Sequence, residues 1–353
     1  MSTYTRLGCF LLASLVCTAA ASAQQPAPGN QPGPGKVYLD VEVTMKSGPP
    51  VAGLAQQDFT LLDNKAPRAI TSFQAFTGRN APMEVVLLID AVNDTAQDVT
   101  YERLQIDKFL RADGGNLAYP VSLAVFTDKG VRSVTNFALD GNALDDVLQK
   151  ESVGFRDIGR DAGYWGATER LQLSLTALRQ LAASIARLPG PGRKVVLWVS
   201  PGWPLLFDPN MLIDSKQQQG LFANLVTLST ALLRARITLY SVDSLGTGQS
   251  VLHATDYKDF LKGISKPSQI QVANLGLQVF AIRSGGLAFN SDNDIAAALE
   301  QCVADSAPYY EITFDAATSQ RPDEYHQLEI QVAKPGLTAR ARQEYYAQPA
   351  TRK

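Results

Sequence analysis

The stretch Met83-Glu84-Val85-Val86-Leu87-Leu88-Ile89-Asp90 constrains the fold more than any other part of the chain. It runs apolar, with little alternation, from Pro82 to the polar cluster Asn93-Asp94-Thr95, and it ends in a carboxylate. Such a run suits a strand covered on both faces in the middle of a parallel sheet. A carboxylate at the C-terminal end of that strand lies where open α/β sheets bind ligands. Lys194 to Ser200 and Ile237 to Asp243 repeat the pattern. Segments with helical spacing separate and follow these runs: Leu171, Leu175, Leu178, Ala182 and Ile185; Leu221, Leu225, Leu228 and Leu232; Val272, Leu275, Val279 and Ile282; Ile295, Leu299 and Cys302. Thr95 and Asp98 form a capping-box pattern that opens a further helix carrying Val99, Ile106 and Leu110 on one stripe. Between Val121–Phe126 and Val131–Phe137 only a four-residue turn ending in Gly130 intervenes, which requires an antiparallel hairpin. Residues 82–305 therefore read as α/β, a doubly wound open sheet, mostly parallel with one antiparallel edge strand.

The flanks have a different period. Val37, Leu39, Val41, Val43 and Met45 alternate with polar residues; Phe59–Leu62 and Ile70–Phe76 follow. At the far end Tyr310–Phe314 and Leu328–Val332 alternate, and a third strand is expected from Leu337 towards Tyr346. Each β unit is too small to stand alone. One small β-sandwich formed by N- and C-terminal segments, 37–78 and 307–348, interrupted by the α/β unit, is the simplest arrangement.

Before residue 37, Gln24–Lys36 is rich in Pro, Gly and Gln and reads as a flexible linker. Arg6, the apolar Leu7–Ala20 and the small residues Ala21-Ser22-Ala23 form a signal-peptide pattern over 1–23, so the chain is expected to be exported, to the periplasm or out of the cell. The apolar stretch is shorter than the roughly 20 residues a membrane span needs. Cys9 and Cys17 fall within that leader, which leaves Cys302 alone in the mature chain with no intrachain disulfide available; its place in an apolar helical row points to burial. With His253 and His326 as the only histidines, a Cys/His zinc site is disfavoured. A net charge of -2 gives no long-range attraction to nucleic acid or anionic lipid.

Two long non-periodic stretches, 201–217 and 244–268, follow strand ends, where loops carry specificity. In the first, Trp203, Leu205, Leu206 and Phe207 would make either an exposed partner-binding patch or a lid on the sheet rim. Ser200 at a strand end, Asp243 at the next and His253 beyond follow the order of an α/β-hydrolase triad, which makes a secreted serine hydrolase the alternative function. Two features oppose it. Trp198 stands where the nucleophile turn needs a small residue, and Pro201 removes the N–H that would form half the oxyanion hole.

The order of these segments resembles von Willebrand factor type A domains, and within them the VWFA-related proteins of acidobacteria. The resemblance is carried by Val37-Tyr38-Leu39-Asp40-Val41-Glu42-Val43, Pro50-Val51-Ala52-Gly53-Leu54 with Asp58-Phe59, Leu87-Leu88-Ile89-Asp90-Ala91-Val92-Asn93, Pro191 to Ser200, and Gly336 to Arg342 before Tyr345-Tyr346. It implies a non-enzymatic binding or adhesion module that recognises a protein or cell-envelope partner on the C-terminal rim of the sheet, through Asp90, Asn93, Asp94, Ser200 and Trp203. It also implies Mg²⁺ at that rim, held through Asp-x-Ser-x-Ser, a Thr and a strand-ending Asp. Here Val92 and Asp94 occupy the two Ser positions, Ser200 the Asp position, and Thr168, Ser174 and Thr176 compete for the Thr. Two readings of the rim stand: a degenerate metal site of Asp90, Asp94 and Ser200, or helix capping and rim hydrogen bonds by the same groups.

Overall fold

The computed structural model describes residues 35–46, 48–78, 81–151, 163–189, 192–203, 213–244, 256–289 and 294–349. The leader, nearly all of the Pro/Gly-rich linker, Leu205, Leu206, Phe207 and His253 lie outside them.

The chain runs β1 (Lys36–Met45), β2 (Phe59–Asp63), β3 (Ala66–Arg68), β4 (Ser72–Phe76), β5 (Met83–Asp90), α1 (Ala96–Leu110), β6 (Asn116–Thr127), β7 (Gly130–Ser133), β8 (Ala138–Asp140), α2 (Gly141–Lys150), α3 (Gly163–Ile185) and β9 (Arg193–Val199). It continues through α4 (Ser215–Arg234), β10 (Ile237–Val242), α5 (Leu277–Arg283), β11 (Ala288–Phe289), α6 (Ile295–Asp305), β12 (Tyr309–Asp315), β13 (Glu324–Val332), β14 (Leu337–Arg340) and β15 (Glu344–Ala347). The protein is mixed α/β.

The central sheet has the order β11-β10-β9-β5-β6-β7, with β8 also on β6. β5 pairs parallel with both β6 and β9, β10 with both β9 and β11, and only β7 and β8 run antiparallel. Every residue of β5 except Glu84 is buried because both faces are covered. Val85, Leu87 and Ile89 meet Val99, Ile106 and Leu110 of α1, Leu144 and Leu148 of α2, and Leu299 of α6 on one face. Val86 and Leu88 meet Leu171, Leu175 and Leu178 of α3, Leu225 and Leu228 of α4, and Phe280 of α5 on the other. From β5 the chain moves outward to β6 and then crosses back to β9, so the strand order reverses between β5 and β9. That reversal is the place where an open α/β sheet leaves a crevice.

Strands from the two chain ends interleave in two four-stranded sheets, β14-β1-β12-β4 and β15-β13-β2-β3. They share one core, in which Leu39, Val41, Phe59, Leu61, Ile312, Phe314, Leu328 and Tyr345 meet. The segment from Leu337 to Tyr346 differs from the sequence expectation. It forms two strands in different sheets, β14 on β1 and β15 on β13, because the chain turns between them where buried Arg342 donates to the Ile237 carbonyl at 3.2 Å. The helix expected from Val272 also divides, into a short 3₁₀ turn at Val272–Leu275 and α5, separated by Gly276 in extended conformation.

The sandwich docks on the N-terminal edge of the central sheet through buried arginines. Arg193, at the start of β9, pairs with Glu42 of β1, and both side chains are fully buried. Arg236, just before β10, reaches Asp40 at 2.8 Å and Glu311 at 2.6 Å, with its guanidinium over the Tyr38 ring. Arg283 of α5 pairs with Glu344 of β15 at 3.2 Å, and Arg340 of β14 with Asp305 of α6. Charge-assisted pairs with fixed donor directions set the angle between two units better than apolar contact does.

Candidate functional site

At the opposite edge, the C-terminal ends of β5, β9 and β10 bring Asp90, Ser200, Asp243 and Ser244 to one rim. Asp90 is 0% exposed and is the hub of a hydrogen-bond network. Its Oδ1 accepts from the backbone N–H groups of Val92 and Asn93, both at 3.0 Å; its Oδ2 accepts from Asn93 Nδ2 at 2.8 Å, Trp198 Nε1 at 3.1 Å and Ser200 Oγ at 2.9 Å. Asn93 Nδ2 also donates to Ser174 Oγ at 3.0 Å, and Ser200 Oγ accepts from Gly202 N–H at 3.2 Å. One carboxylate thus fixes the turn after β5, the turn after β9 and, through Asn93, helix α3. Burial pushes the Asp90 carboxyl above its ordinary range, against the opposing pull of the Asn93, Trp198 and Ser200 hydrogen bonds.

A carboxylate offers about four lone-pair directions. Five donors already converge on Asp90, so neither oxygen is left for a cation. Val92 is buried in the apolar core and brings no oxygen, and the Ser200 hydroxyl is spent on Asp90. The metal set Asp90, Asp94 and Ser200 does not fit a Mg²⁺ ion; the Trp198 indole N–H and the Ser200 hydroxyl stand where coordination would have to occur.

The five expected partner-binding residues are together, but all are buried. Trp203 is 3% exposed and packs edge-on against Trp198, ring centroids 5.3 Å apart, with Phe280 of α5 on its other side at 6.1 Å. Of the two roles open to it, the lid is the one it fills; apolar area that would be exposed in a binding patch is buried in the core instead. Asp90, Asn93, Asp94 and Ser200 likewise shape the rim rather than face solvent. Among the described residues that follow β5 and β9, Ala96 and Gln97 at the start of α1 are exposed, and Pro201 and Gly202 are half-buried.

Asp94 lies deeper in the same rim than its position in a loop suggests. Its Oδ1 accepts from Ser244 Oγ at 2.9 Å, and Glu102, from the second turn of α1, lies against it. Burial pushes both carboxyls well above the ordinary carboxylate range; the charge and hydrogen bond of Asp94 raise Glu102 further, while the hydrogen bond from Glu102 pulls Asp94 back against the repulsion of Asp90. Sequence reasoning missed Glu102, although its place in the stripe between Val99 and Ile106 marked a charged side chain on an inward face.

The hydrolase arrangement is not assembled among the described residues. Ser200 is fully buried, its hydroxyl donates to Asp90 rather than to a histidine, and Pro201 supplies no N–H beside it. Among the described residues no helix is long and apolar enough to cross a membrane.

A scan against protein-family models finds no match, and a search of the curated proteins finds none either. Among solved structures, two of proximal thread matrix protein 1 from the mussel byssus are similar at TM-scores of 0.35 and 0.34, with 12% and 11% identity over 69% and 70% of this chain. The PilB minor pilin from Streptococcus sanguinis is similar at a TM-score of 0.36, with 10% identity over 64% of this chain. The chain spans 51%, 50% and 62% of those three chains, and the likeness is loose.

Proposed function

We propose that the chain is an exported, non-enzymatic binding or adhesion module of the von Willebrand factor type A kind, which holds a protein or cell-envelope partner on the C-terminal rim of its central sheet. One observation carries the reading. At the point where strand order reverses, the polar groups that could do chemistry, Asp90, Ser200 and Asn93, are spent on fixing the turns after β5 and β9. A site whose buried groups hold loops in place presents a preorganised surface, and preorganised loops on a rigid sheet are suited to recognition. The leader pattern at 1–23 supports export, and the ordered segments it shares with type A domains support the family.

Gln97 is the exposed probe of that rim, and Gln74, exposed on the open edge strand β4, is the probe of the sandwich. Co-sedimentation of purified protein with envelope fractions separates the two surfaces. Gln97→Arg should lower retention at least tenfold with unchanged melting temperature, while Gln74→Arg should leave it intact. Retention lost only with Gln74→Arg would move the partner to the sandwich and end the rim reading.

A further inference from the structure

A sheet that ends in a bare strand offers a row of backbone donors and acceptors to any strand that arrives, and proteins guard such edges with charge, proline, brevity or cover. Guards of this kind stand at the other sheet ends. β3 carries Pro67 and Arg68, β7 carries Arg132, β11 has two residues and β14 ends in Arg340. β15 is buried along its length. β4 differs from all of these. It ends the sheet β14-β1-β12-β4, with β12 on one side, and Ser72, Gln74 and Ala75 are exposed. From Ala69 to Gly78 the chain holds neither a charged residue nor a proline. The rings of β4 are fixed from within, Phe73 at 5.4 Å from Phe59 and 5.8 Å from Tyr310, and Phe76 at 5.0 Å from Tyr309. The strand is a rigid, neutral edge with nothing on it that turns another strand away.

The side chains of β4 set what an added strand must bring. Phe73 and Ala75 share one face, and Ser72, Gln74 and Phe76 the other. An antiparallel strand fits when small side chains stand opposite the two rings and no charge enters with it. β4 itself meets both conditions when turned about a two-fold axis through Gln74. Phe73 then stands opposite the copy's Ala75, Phe76 opposite the copy's Ser72, and Gln74 opposite Gln74, so each ring meets a small residue and the two amides meet on the axis.

We propose that β4 pairs antiparallel with β4 of a second copy of this chain, joining two four-stranded sheets across the two-fold axis at Gln74. A pairing of five residues is smaller than the roughly 800 Å² per partner of a standard interface, so the dimer is weak, half-formed on the order of 100 µM. The inference goes beyond the rim reading and does not rest on it. Retention on envelope fractions is measured far below that concentration, where the chain is a monomer.

Sedimentation velocity on the full chain, from about 1 µM to about 1 mM, tests the pairing; the sedimentation coefficient should climb from monomer towards dimer across that range. Gln74→Arg sets like charges against each other on the axis and should weaken association at least tenfold with unchanged melting temperature. Gln74→Glu should do the same. Mixed in equal amounts, the two variants should associate at least as tightly as the native chain, because residue 74 faces its own counterpart. Ala75→Lys, beside the axis on the other face, replaces Gln74→Arg if that variant does not fold. A native chain that stays monomeric throughout would overturn the proposal. Association that persists in Gln74→Arg would place the contact elsewhere and overturn it too, as would Arg and Glu variants that remain monomers when mixed.

Discussion

At the N-terminal ends of its strands the central sheet buries carboxylates against arginines, whereas at the C-terminal ends it buries Asp90, Asp94 and Glu102 with no arginine or lysine among their main electrostatic neighbours. At the first edge Arg193 pairs with Glu42 and Arg236 with Asp40 and Glu311 across the two units, and these pairs fix how the sandwich sits. At the second, one acid is held by neutral donors and two are left facing each other. The same residue type therefore does opposite work. Where a counter-charge is built in, burial of an acid serves docking; where it is not, burial raises the carboxyls and they rest on neutral donors and on each other.

Substitution is the sharpest way to break this contrast. Arg193→Met takes from fully buried Glu42 its nearest counter-charge, leaving only Arg340 at 4.0 Å, and should cost about 3–5 kcal/mol in urea unfolding. If it cost under about 1 kcal/mol, the paired edge would not be what holds the two units. Asp90→Ala comes next. It orphans the Trp198 indole, the Asn93 amide and the two backbone N–H groups together, and should cost at least about 2 kcal/mol. A variant as stable as the native protein would mean that water replaces the carboxylate and that the turns after β5 and β9 are not held by it. Glu102→Gln reverses the sign. It removes a buried acid that has no counter-charge, so stability should be unchanged or rise by up to about 1 kcal/mol. A loss as large as that of Arg193→Met would erase the difference between the two edges. The smallest effect is chemical. Burial pushes the Cys302 thiol well above its ordinary range, so an aromatic disulfide reagent at pH 8 should leave it unmodified until denaturant is added.

Much of the architecture could be read from spacing alone. The apolar run ending at Asp90 is a strand with both faces covered, and the short turn before Gly130 produces the antiparallel strand at the sheet's edge. Periodicity reports which face is buried, and these faces are. It does not report how a polar end group is satisfied. Asp90, Asn93, Asp94, Ser200 and Trp203 gather at one rim as the sequence suggested, yet nothing in their spacing shows that Trp198 would turn its indole N–H onto Asp90 and close it to a metal. Trp203 offered two roles because a loop tryptophan can face either way; the room left beside Trp198 and Phe280 decides it. The arginine pairs were invisible for another reason. Glu42 and Arg193 stand far apart in the chain, and their meeting depends on how two units fold onto each other.

The interleaving of strands from the two chain ends has a consequence for synthesis. The strand neighbours of β1 are β12 and β14, and Lys36 is matched with Asp315. Until the last part of the chain emerges, β1 and β4 lack their strand partners; what can close locally is the β2–β3 hairpin and the short bridge from the end of β1 to Pro50. Contacts this distant in sequence form late. The α/β unit is thus complete before the sandwich can exist, and the early strands must be kept from aggregating until their partners follow.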